Sequence, residues 1–65
     1  MLYVHFLATV MGLFNISQTL AEDLVASTFK ELGIMPGETV GLTRIKEVAE
    51  KIGNKYVLYM LYHNG

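Results

Sequence analysis

Two histidines, two serines and six carboxylates are the side chains from which catalysis or metal binding would have to be built. His5 and His63 lie near opposite ends of the chain, and neither has a carboxylate at metal-ligand spacing. His5 sits on an apolar segment, where the expectation is a core histidine bonded to a backbone carbonyl. His63 would complement the dipole at a helix C-terminus. Ser17 and Ser27 have no base in view. Glu22 and Asp23 are adjacent and diverge on a helix, so they cannot act as a paired acid and base. Glu47 and Glu50 share a helix face, but each has a basic neighbour. General acid–base chemistry needs a positioned substrate, usually in a cleft. With no cysteine there is no thiolate zinc site, disulfide or cysteine nucleophile. The sequence predicts no enzyme, no metal and no cofactor.

Cations offer a second kind of chemistry. Arg44 and Lys46 fall at the start of a predicted helix, where positive charge opposes the helix dipole. Either both are solvated, or together with Lys55 they contact a phosphate or an acidic partner. The glycines of 33–42 have neither the spacing nor the following lysine of a phosphate loop.

The elements that must position these groups are unevenly specified. Every charged side chain lies between Glu22 and Lys55, leaving two apolar ends, Leu2–Phe14 and Tyr56–Tyr62. In the middle, Ala21, Leu24, Val25, Thr28, Phe29 and Leu32 fall on one face of a predicted helix over 20–32. Thr19 with Glu22 suggests a capping box, and the two acids would then occupy the first turn with Lys30 in the last. Gly33 supplies the left-handed cap, with Ile34 folding back on Phe29. Pro36-Gly37 reads as the centre of a type II turn. A further helix is predicted over 44–52, capped by Thr43, stopped by Gly53 and carrying Ile45, Val48, Ala49 and Ile52 on one face. Glu47 and Lys51 stand in ion-pair order on it.

The ends can be read two ways. As helices they complete an all-α bundle of three to four short helices in one small domain. As strands they give a β-α-α-β arrangement whose two-stranded sheet would need a partner to extend it. The all-α reading is preferred because it needs no such completion. The run Leu2–Phe14 is too short to cross a bilayer, and it lacks the basic flank of a signal peptide. A cytoplasmic location is expected.

Ile45–Gly53 resembles the first half of a helix-turn-helix, with alanine in mid-helix and glycine at the turn. The second helix would then present Val57, Leu58, Met60 and Leu61 rather than the polar side chains that read base edges. Nucleic-acid binding is the lesser reading, and the net charge of −1 gives it no general support.

Size and composition favour association. A domain this small buries only about 60% of the surface of its unfolded chain, while 52% of the residues are hydrophobic. Small domains offset the ordering entropy with disulfides, metals or oligomerisation, and only the last is open here. The sequence therefore predicts a non-catalytic interaction or regulatory module that binds itself, most simply as a symmetric dimer, or else binds another protein. The expected interface comprises Tyr3, Phe6, Val10, Leu13 and Phe14 from the first end and Tyr56, Tyr59, Met60 and Tyr62 from the last. Met1, Met11 and Met35 would add adaptable contact surface. A membrane-surface role is the third reading, weakened by the lack of basic residues beside the apolar ends.

Overall fold

The computed structural model describes residues 2–63 and is all-α, with no strand among them. Three helices form: α1 over Tyr3–Phe14, α2 over Gln18–Leu32 and α3 over Leu42–His63. Both apolar ends are thus helical, and the β-α-α-β alternative does not hold. Met1 lies outside the described residues.

Helix α1 ends at Asn15, which takes the left-handed conformation at φ 52° and ψ 50°, one that asparagine tolerates better than most residues. Two residues later Ser17 starts α2, its Oγ accepting from the Leu20 N–H at 3.2 Å. The helix therefore begins earlier than the Thr19–Glu22 pattern implied. Glu22 lies past the first turn, where its carboxylate accepts from Gln18 Nε2 at 2.9 Å. The far end of α2 is as expected. Gly33 has φ 72°, its N–H bonds the Lys30 carbonyl and the Ile34 N–H bonds that of Phe29. This is a Schellman cap with Ile34 buried as its apolar contact.

Helix α2 is the central element, with α1 and α3 packed on it. Phe29 anchors the core, its ring edge-to-face with Tyr3 at 5.3 Å and with Phe6 at 5.5 Å. Val10, Ala21, Leu24, Val25, Val48 and Ile52 surround it. Thr28 is fully buried, and its hydroxyl donates to the Leu24 carbonyl at 2.7 Å. The connection from α2 to α3 closes the core with Ile34 and Val40, whereas Leu42 faces out at 72% exposure. Its turn runs from Met35 to Glu38, with the Glu38 N–H on the Met35 carbonyl at 3.0 Å. Gly37 has no positive φ, so the turn is not type II.

The largest correction concerns α3. The expected stop at Gly53 is absent, and one helix of 22 residues runs through Gly53 and Asn54. A glycine inside a helix costs about 1 kcal/mol. Val48, Ile52, Tyr56 and Tyr59 form a single inward stripe across it, and burying that stripe on α2 outweighs the local preference to break. The two expected short helices are one.

Candidate interaction surface

The chemistry-bearing residues are dispersed. Among the described residues, no group of three or more His, Asp or Glu side chains is placed to hold a metal ion. His5 is exposed rather than in the core, because the α1 face that meets α2 is the one carrying Phe6 and Val10. The His5 carbonyl accepts the Thr9 hydroxyl at 2.7 Å. His63 closes α3, its ring stacked on Tyr59 with Nδ1 3.0 Å from the Tyr59 carbonyl.

Two of the three candidate anion contacts are used within the chain. A guanidinium nitrogen of Arg44 donates to the Leu32 carbonyl at 3.3 Å, and a second lies 3.5 Å from Glu47. Arg44 therefore serves the negative end of α2, which offsets its unfavourable place at the start of α3. Glu47 takes this partner in place of the expected Lys51. Lys55 reaches from α3 to Glu31 of α2 at 3.2 Å. Lys46 is exposed and forms no ion pair among the described residues. Because α3 is unbroken, the turn expected at Gly53 is not formed, and among the described residues no separate helix follows it.

The expected interface residues divide by burial. Phe6 and Val10 lie in the chain's own core, at 4% and 5% exposure. Tyr3, Phe14, Tyr56 and Tyr59 are half-buried, Phe14 and Tyr56 stacking at 4.4 Å to bridge α1 and α3. Leu13, Met60 and Tyr62 are exposed. Three further apolar side chains stand out on α3: Val57, Leu58 and Leu61, each more than half exposed. Sequence reading favoured the tyrosines instead. Continuing the Val48–Ile52 phase through Gly53, at about 100° per residue, turns Tyr56 and Tyr59 inward and these aliphatics outward.

On the outward side, the first half of α3 carries Glu47, Glu50, Lys51 and Asn54, and the second half carries Val57, Leu58, Leu61 and Tyr62. The face passes from charged to apolar within one turn. A second apolar feature lies between α1 and α3, which pack on α2 more than on each other. It is a groove of about 140 Å³ lined by Phe6, Val10, Leu13, Ile45, Ala49 and Ile52 among others. No described helix is long and apolar enough to cross a membrane. Comparison with protein families, with curated proteins and with solved structures finds no match, so the geometry alone carries the functional argument.

Proposed function

We propose that this chain is a non-catalytic interaction module that associates with a second copy of itself through the apolar second half of α3. One observation carries the reading: the outward face of that helix loses all charge after Lys55 and presents Val57, Leu58, Leu61 and Tyr62. Contiguous apolar faces of this kind mark contact sites. With roughly 200 Å² per large side chain, the exposed part of the face amounts to on the order of 600 Å² per copy, or about 1,200 Å² per pair. That is the lower end of specific interfaces.

Sedimentation equilibrium between 1 and 200 μM tests the reading. A monomer–dimer equilibrium is expected, and Leu61→Asp should move it to monomer without loss of helical circular dichroism, because Leu61 is 67% exposed. A wild-type protein that stays monomeric throughout would refute it. So would Leu61-dependent flotation with liposomes in place of dimerisation, which would make the face a membrane contact.

A further inference from the structure

A cleft opens where α2 ends, at the far end of that helix from the apolar half of α3. Tyr59 and Tyr62 of α3 stand near Leu20 at the start of α2, whereas the cleft reaches Gly33 at its C-cap. Helix α1 contributes Tyr3 to it, α2 contributes Ala26 and Lys30, and the connection contributes Met35 and Pro36. Phe29 and Ile34, at 1% and 4% exposure, form its floor. Its volume is about 510 Å³, within the range of small-ligand sites. The cleft belongs to one subunit and does not depend on self-association.

The lining limits what the cleft can hold. The backbone donors that α2 and the connection bring to it are already used. The Ala26, Phe29 and Lys30 amides lie within α2. The Gly33 and Ile34 N–H groups donate to the Lys30 and Phe29 carbonyls. The Met35 N–H donates to the Glu38 carboxylate at 3.3 Å, and Pro36 has no N–H. Among the lining side chains only Tyr3 and Lys30 carry a polar group. A sugar, a nucleotide or a peptide backbone would leave its own polar groups unpaired against such a wall, at the full cost of their desolvation. A hydrocarbon chain has none to leave unpaired. Met35, at 66% exposure, adds a flexible side chain that can follow it.

Charge decides the other end of the ligand. No carboxylate lines the cleft, and Lys30 forms no ion pair among the described residues. A cation in the last turn ordinarily serves the helix dipole. Here that end of α2 has other partners: Arg44 donates to the Leu32 carbonyl, and the cap bonds take those of Lys30 and Phe29. The Lys30 ammonium is thus an unpaired positive charge beside an apolar floor. We propose that the cleft binds a medium-chain fatty carboxylate, its chain on Phe29 and Ile34 between Tyr3 and Met35, its carboxylate on Lys30. One anionic group and an uninterrupted hydrocarbon body match one cation and a wall without free donors.

Titration of the nitrogen-15-labelled protein with decanoate, read by NMR, tests the site. For a ligand of this size, saturable binding with a Kd on the order of 1 mM or tighter is expected. Amide shifts should centre on 26–35 and persist in the Leu61→Asp variant. Octanoate should bind at least threefold more weakly, because each buried methylene is worth up to about fourfold. Ala26→Phe fills the cleft from an exposed helix position. It should keep the helical circular dichroism and weaken decanoate at least fivefold. Lys30→Glu should weaken decanoate at least threefold at low salt and tighten decyltrimethylammonium relative to wild type. The proposal stands only if all of these hold. A Kd weaker than 5 mM would overturn it. So would shifts centred on 57–62 that vanish in Leu61→Asp, which would place the chain on α3. Decyltrimethylammonium binding wild type as tightly as decanoate would remove Lys30 from the site and overturn the choice of ligand.

Discussion

The glycines divide by backbone conformation, and the division predicts the sign of each substitution. Gly33 sits at φ 72° with open space where a Cβ would go. Alanine there meets no neighbour, so its cost is purely conformational, about 1 kcal/mol for a left-handed L-residue. Gly12 has equally open surroundings but helical backbone within α1. Gly12→Ala should therefore stabilise by about 1 kcal/mol, the helix-propensity difference. Urea denaturation of the two variants at one protein concentration should move the midpoint in opposite directions, and a shift of the same sign would contradict the conformations described. Core substitutions act on another scale. Phe29 meets Tyr3 and Phe6 edge-on and is 1% exposed. Phe29→Ala should cost about 3–5 kcal/mol, comparable to everything a core of this size supplies. The expected circular dichroism spectrum of that variant at 25 °C is largely unfolded, and a cooperative transition retained above 40 °C would argue against Phe29 as the anchor.

At the level of elements, α3 makes the sharpest claim, that Gly53 and Asn54 are ordinary interior positions of one helix. Their amides should exchange with solvent as slowly as those of Val48 and Ile52 on one side and Tyr56 on the other. Fast exchange confined to 53–54 would restore a break between two helices. The same element shows where the sequence was legible. Helix α2 could be read because its charged and apolar residues separate cleanly at helical spacing, and Gly33 terminates it through a conformation that glycine favours. Helix α1 and the second half of α3 carry no charge between Tyr3 and Phe14 or after Lys55, so nothing in their pattern marks an outward face. Gly53 was misread because local propensity cannot register the stripe of Ile52, Tyr56 and Tyr59 that holds the helix together across it. Val57, Leu58 and Leu61 were turned outward only in the helix-turn-helix reading, while the interface reading favoured the tyrosines; the continuous helix places these aliphatics on the exposed face. Arg44 was legible as an anomaly, but its partner was not. The Leu32 carbonyl lies 12 residues away and is brought within reach only by the antiparallel packing of α3 on α2.

For the molecule as a whole, the question is whether folding and association are linked. A chain of 65 residues with Leu13, Leu42, Val57, Leu58 and Leu61 turned outward buries little of its apolar surface, and a partner that covers part of it would add stability. If the dimer unfolds directly to two chains, each tenfold rise in protein concentration adds up to about 1.4 kcal/mol. That corresponds to about 5 °C in Tm for a pair of this total size. Calorimetry at 5, 50 and 500 μM should show this rise for wild type and none for Leu61→Asp. Salt identifies the force responsible. A contact built on Val57, Leu58 and Leu61 gains from sulfate, which strengthens apolar burial. It should also hold its Kd within about threefold between 0.1 and 1 M NaCl, because the face carries no charged side chain after Lys55 for salt to screen. If sodium chloride instead dissociated the wild-type dimer by a hundredfold, association would be driven by Arg44, Lys46 and Lys55 against the acids of α2. The apolar half of α3 would then need another role.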